Sequence, residues 1–302
     1  MTADIRDGIT AYLQGGIGNQ LFILAAAWAQ ARRLDVPLYI DASRFIAPDP
    51  LERPETRHPF TLQRYTLPGV VLEETSPWYR NSPRRPVPIR VPGRGSWRLP
   101  VHRYTGLGYD ERIEQVRPGT TLLGYFQSPR YFERVADDMA DMMTGVLPSA
   151  SESPILARID EDPRATLHVR RGDYLDAATR RHHGLAEPQY FERSVELLQA
   201  LGRWTGGRVY SDSPDIVTDE LSTIPDLEFV RDSRALDEPT TLLAMSTGTA
   251  FVMSNSSFSW WAAWLMSRRT DAPVIAPRPW VASGAAAADL LDPAWITLGA
   301  SA

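Results

Sequence analysis

ATLHVRRGDY, residues 165–174, runs from a β-branched and aliphatic segment straight into two arginines, a glycine and an aspartate. The first half reads as a strand, and the polar half as groups leaving a sheet edge together, with Gly172 allowing a tight turn. Working outward, the pattern repeats. RVYS (208–211), LEFV (227–230), TAFVMS (249–254) and PVIA (273–276) are further strand candidates, separated by helical segments. That alternation predicts an α/β fold with a parallel sheet covered by helices.

The helices carry their own start signals. Pro188 stands at a first helical position before QYFERSVELLQAL, whose Tyr190, Ser194, Leu197, Leu198 and Leu201 form an apolar stripe, and Gly202 suits its end. Ser213-Pro214 and Glu238-Pro239 read as two more starts. Each strand-to-helix junction therefore falls at the sheet edge where such folds bind ligands. The N-terminal half begins likewise: GITAYLQ (8–14) as a strand, a glycine-rich turn, a helix from Asn19 to Arg33, then the strand PLYI. Between 44 and 119 the pattern dissolves into prolines, arginines and scattered aromatics, and order returns with TTLLGYF and a helix opened by Ser128-Pro129. LPSASESP, 147–154, has linker composition, so the expected domains are 1–148 and 149–302.

Composition narrows the chemistry. The 302 residues carry a net charge of −5, which argues against a broad nucleic-acid-binding face. All 32 basic residues are arginine, so a Schiff-base lysine is excluded and any side-chain cation on an anion is a guanidinium. Cysteine is absent, which removes disulfides, thiolate metal sites and cysteine nucleophiles. The adjacent His182 and His183 in RRHHG read as solvated loop residues, and no metal site is expected. Met1 to Asp7 lacks the features of a secretory signal, and LFILAAAWA (21–29) falls short of the roughly 20 residues of a membrane span. The expectation is a cytoplasmic protein.

Three segments can carry chemistry. SNSSFSWWAAWL (254–265) places Asn255, Ser256 and Ser257 at the start of a helix that Arg268 and Arg269 close, where unpartnered backbone N–H groups and the dipole suit a phosphate. Plain helix capping by Asn255 or Ser256 is the competing reading, and Trp260, Trp261 and Trp264 read mainly as core. HVRRGDY (168–174) offers an arginine, held by an aspartate, for bidentate phosphate binding, against the alternative of a surface Arg–Asp pair. GGIGNQLF (15–22) resembles a dinucleotide fingerprint, but Leu21 replaces the third glycine; Asn19 and Gln20 there can offer amides to a hydroxyl-rich ligand.

These segments, with GYFQSPRYF (124–132), SDSPD (211–215) and PRPW (277–280), stand in the order and approximate spacing of bacterial α-1,2-fucosyltransferases, which the chain resembles over nearly its full length. The resemblance implies the GT-B arrangement, two Rossmann-like domains facing a central cleft, with GDP-β-L-fucose on the C-terminal domain and the acceptor site shaped by the N-terminal one. Fucose then passes to the 2-hydroxyl of a galactose-terminated glycan, with inversion, without a metal, and with GDP-fucose as donor rather than a bound cofactor.

On that reading Arg170 meets the β-phosphate, His168 and Arg171 orient it, and Asn255, Ser256 and Ser257 hold the phosphates. Asp212 lies near guanine or ribose, Gly16, Gly18, Asn19 and Gln20 line the first turn, and Asp173 serves either as base or as orienter of an arginine. Two departures from the family pattern stand out, Ile23-Leu24 in place of a polar Gln-Tyr pair and Ser213-Pro214 where a second acidic residue is common. Rival readings are another GDP-sugar or acceptor on the same fold, and a glycan-binding protein without catalysis. For residues 76–105 three readings stay open: an acceptor lid, a membrane-surface contact, or an irregular connection.

Overall fold

The computed structural model describes residues 4–46, 57–72, 89–91, 95–97, 100–106, 108–172, 184–230, 236–282 and 289–301. The chain divides into two compact units, Met1–Met142 and Met143–Ala302. Each is built on a parallel sheet with helices, so the chain is α/β with two parallel-sheet units.

The first unit contains β1 (Ile9–Tyr12), α1 (Ile17–Leu34), β2 (Leu38–Asp41), the short α2 (Ser43–Ile46) and β3 (Val70–Val71). An antiparallel pair, β4 (Ile89–Val91) and β5 (Gly95–Trp97), precedes β6 (Val101–Arg103), β7 (Thr121–Leu123) and α3 (Ala136–Thr144), which reaches the division. The sheet order is β3-β2-β1-β7-β6, and every pairing in it is parallel. Helix α1 is an unbroken apolar core element, with Leu21 to Ala27 all fully buried. Burial of that extent is why Ile23 and Leu24 are packing residues here.

The second unit contains α4 (Ser153–Glu161), β8 (Ala165–Val169), α5 (Pro188–Ala200), β9 (Gly207–Ser211) and α6 (Pro214–Glu220). It continues with β10 (Leu227–Phe229), α7 (Glu238–Met245), β11 (Phe251–Val252), α8 (Ser257–Arg269), β12 (Val274–Arg278) and β13 (Ile296–Gly299). Its order, β10-β9-β8-β11-β12-β13, is fully parallel and reverses direction between β8 and β11. β8 and β9 are buried at every position, as a central strand covered on both faces must be. Tyr190, Val195 and Leu198 of α5 pack on Leu167, Val169 and Val209. In α8 Trp260, Trp261 and Trp264 are buried against one another and against Trp295, as the core reading expected.

The segment 147–154 departs from its linker composition. Glu152 is buried; its carboxylate accepts the backbone N–H of Ser149 at 2.6 Å and that of Asp237, the cap of α7, at 2.9 Å. Burial pushes this carboxyl up, but the hydrogen bonds from Asp237 and Ser149 outweigh it and bring it down to about 2. A carboxyl depressed on folding stabilises the native state above its unfolded value of 4.5, and the gain is lost as pH falls toward about 2. Glu152→Gln is expected to cost about 2 kcal/mol near neutral pH, and the gap to the wild type should close below pH about 4 in thermal unfolding. A gap that does not change with pH would remove the carboxylate from this role.

Candidate functional site

The strand order of the second unit reverses between β8 and β11, and in such sheets the crevice outside the carboxyl ends of the strands at that switch point is where ligands bind. One hydrogen bond spans it: His168 Nδ1 and Ser254 Oγ lie 3.1 Å apart, joining the HVRRG turn to the SNSS turn. Both residues are buried, and the imidazole meets the Phe258 ring edge-on at 5.6 Å. Burial drives the His168 pKa down to about 4; Asp212 opposes the shift and Arg170 reinforces it. His168 is therefore neutral near pH 7 and organises the crevice rather than contributing charge.

Asn255 is likewise buried. Its Nδ2 donates to Trp280 O at 3.3 Å and to Gly184 O at 3.5 Å, tying the SNSS turn to the PRPW segment. Ser256 is the cap residue of α8, with φ −127° and ψ 134°, but its side chain makes no cap hydrogen bond. The capping alternative is thus not realised by Ser256, and the first-turn amides receive no acceptor from it. Ser256 and Ser257 are half-buried beside them.

The HVRRG turn is held from β9. Asp212 Oδ2 pairs with Arg170 Nε at 3.0 Å, and Oδ1 accepts the backbone N–H of Arg171 at 2.9 Å and of Gly172 at 3.1 Å. The carboxylate that orients an arginine is Asp212; Asp173 lies outside the described residues. Gly172 serves close approach, since a Cβ there would stand 2.6 Å from Asp212 Oδ2. Arg171 differs from its expected phosphate-facing place: it is fully buried, its Nε donates to Glu220 Oε2 at 2.6 Å, and its Nη1 donates to Arg170 O at 3.0 Å. The sequence reading missed Glu220 and Ser254. Glu220 carries no spacing signal toward Arg171, while Ser254 sat within the quoted motif but was assigned to the strand.

The remaining candidates belong to the first unit. Gly15 takes φ +75°, a left-handed conformation that glycine adopts without strain, and Gly16 caps α1 with Gly18 in its buried first turn. Asn19 Oδ1 accepts from Gln127 Nε2 at 2.7 Å. Gln20 is fully buried, donates to Gly15 O and Pro59 O at 2.9 Å each, and accepts from Thr61 N at 3.4 Å, so its amide fastens the 59–61 segment instead of facing a ligand. Asp162, last of the acidic run 160–162, pairs with Arg164 at 2.6 Å beside the N-terminal end of β8, the sheet edge away from the HVRRG turn.

The depressed His168 pKa carries a sign. Unfolding releases an imidazole of ordinary value 6.5 from a site where it titrates at about 4, so protonation favours the unfolded chain as pH falls through that window. Wild-type thermal stability should drop from pH about 6.5 to 4 more steeply than that of His168→Asn. Equal slopes would contradict a buried neutral imidazole.

The chain is 25% identical over 305 residues to the O-antigen biosynthesis glycosyltransferase WbnK of Escherichia coli, covering 95% of this chain and 99% of that protein. It is 24% identical over 282 residues to an alpha-1,2-colitosyltransferase of Escherichia coli, covering 90% and 92%. Among solved structures, the NodZ alpha-1,6-fucosyltransferase soaked with GDP-fucose aligns with a TM-score of 0.48 at 15% identity, over 86% of this chain and 92% of that one. Residues 119–298, more than half of the chain and including every turn of the crevice just described, match Glycosyl transferase family 11, and the chain belongs to that family.

Proposed function

We propose that the chain is an inverting α-1,2-fucosyltransferase, moving L-fucose from GDP-β-L-fucose to the 2-hydroxyl of a galactoside without a divalent metal. The observation that carries this reading is the His168–Ser254 bond, which brings a guanidinium-bearing turn and the start of α8 to one crevice. As the bond between sugar and diphosphate breaks, negative charge builds on the leaving GDP, and preorganised cations and backbone amides stabilise it where it develops. Arg170, aligned by Asp212, supplies the guanidinium; the first-turn amides of α8, with Ser256 and Ser257, supply neutral donors. Asp173 follows this turn in sequence and is assigned to the acceptor hydroxyl as base. The cytoplasmic location expected from the sequence is part of the same proposal; among the described residues no helix is long and apolar enough to cross a membrane.

A second reading keeps the nucleotide grip and changes the sugar. It is favoured by the relative described as an alpha-1,2-colitosyltransferase, which points to colitose in place of fucose. Purified protein offered GDP-fucose, GDP-colitose, GDP-mannose and UDP-galactose with a panel of galactosides separates the two, the product linkage being read by NMR. An α-1,2-fucosylated galactoside is the expected product; glycan binding with no release of GDP from any donor would defeat both.

Turnover is expected to persist in EDTA, because arginine and amide donors carry the charge compensation; loss in chelator restored by magnesium or manganese would overturn this. Arg170→Ala should lower kcat/KM on the order of 10²–10³-fold with the fold intact. Asp173→Asn with intact GDP-fucose binding and collapsed turnover fits a base, whereas lost binding fits an orienting role.

A further inference from the structure

Glu220 closes α6 with no basic residue in that last turn, so its charge stands at the end of the helix where the dipole disfavours an anion. Its partner Arg171 is equally out of place. The guanidinium is fully buried, and Nη2 is buried with no hydrogen-bond partner among the described residues. A buried arginine with one unsatisfied nitrogen is poor value for stability, since desolvation offsets most of the ion-pair attraction. Two local conflicts that resolve only against each other mark a contact kept for position.

The geometry says what is positioned. α6 begins two residues after Asp212 and ends at Glu220, so the two carboxylates flank one short helix. Asp212 grips the Arg171 and Gly172 amides and the Arg170 guanidinium from one side. Glu220 grips the Arg171 guanidinium from the other, and that guanidinium donates through Nη1 to the Arg170 carbonyl. Main chain and side chain of the turn are thus fastened independently, which fixes the direction in which Arg170 leaves β8.

We infer that Glu220 is a positioning residue of the nucleotide site, acting through Arg171 to hold the Arg170 turn in its anion-binding conformation. The inference rests on the donor-site reading above. Glu220 touches no substrate; without its charge Arg171 loses its anchor, the Arg170 carbonyl loses its donor, and the turn relaxes away from the crevice.

A control sits on the same strand. Arg208, buried at the opposite end of β9, pairs with Glu228 at 3.0 Å and is also a buried arginine on a half-buried glutamate, but at the N-terminal sheet edge. Wild type, Glu220→Gln, Glu220→Asp and Glu228→Gln are titrated with GDP by calorimetry, and their thermal unfolding is recorded in parallel. Glu220→Gln is expected to weaken GDP binding by about tenfold or more, Glu220→Asp to recover part of it, and Glu228→Gln to lose stability with GDP affinity unchanged. If Glu220→Gln loses stability and keeps wild-type GDP affinity, the pair is structural and the inference falls. Should Glu220→Gln not fold, Glu220→Asp decides by the same criterion. If the wild type itself does not bind GDP, the donor-site reading fails, and this inference with it.

Discussion

The candidate site of this protein depends on where one carboxylate sits. Asp212, just beyond β9, accepts two successive backbone amides and pairs with the Arg170 guanidinium, so three donors of the neighbouring turn converge on two oxygens. Such charge-assisted contacts are stronger than neutral ones, and three at once leave the turn little conformational freedom. They also dictate composition, because the carboxylate comes so near the main chain at residue 172 that glycine fits there without displacement.

A parallel sheet makes that convergence possible. Arg170 and Asp212 lie 42 positions apart, yet β8 and β9 pair Ala165 with Gly207 and Val169 with Ser211, so residues just past both strands emerge side by side. The same logic brings Ser254 to His168 across the β8–β11 boundary, with Leu167 paired to Val252. Neither contact is local in sequence, and both follow from register.

That division explains what was legible beforehand. Buried strands announced themselves as apolar runs, and Pro188, Pro214 and Pro239 marked helix starts in the places where α5, α6 and α7 begin. Strands β3, β6 and β13 escaped because they are short and partly exposed. At the site, the residue types were readable but their partners were not. An aspartate was expected to hold an arginine, and one does, but it comes from the next strand; Arg171 and Gln20 looked like ligand-facing polar groups, yet each is absorbed by a contact far away in sequence, Glu220 in one case and the 59–61 segment in the other. Glu152 shows the same blindness, since a serine-rich composition gave no hint that its carboxylate holds the cap residue of a helix, 85 residues on.

The tryptophan-rich helix answers why bulky rings stand beside an open helix start. From Ser259 to Met266 every residue of α8 is buried, and the indole nitrogen of Trp260 reaches Leu290 O at 2.6 Å. A helix enclosed on all sides has almost no solvent face on which substitutions can accumulate harmlessly. Volume and shape therefore limit what can stand at any of these positions, and the helix start they support inherits that rigidity.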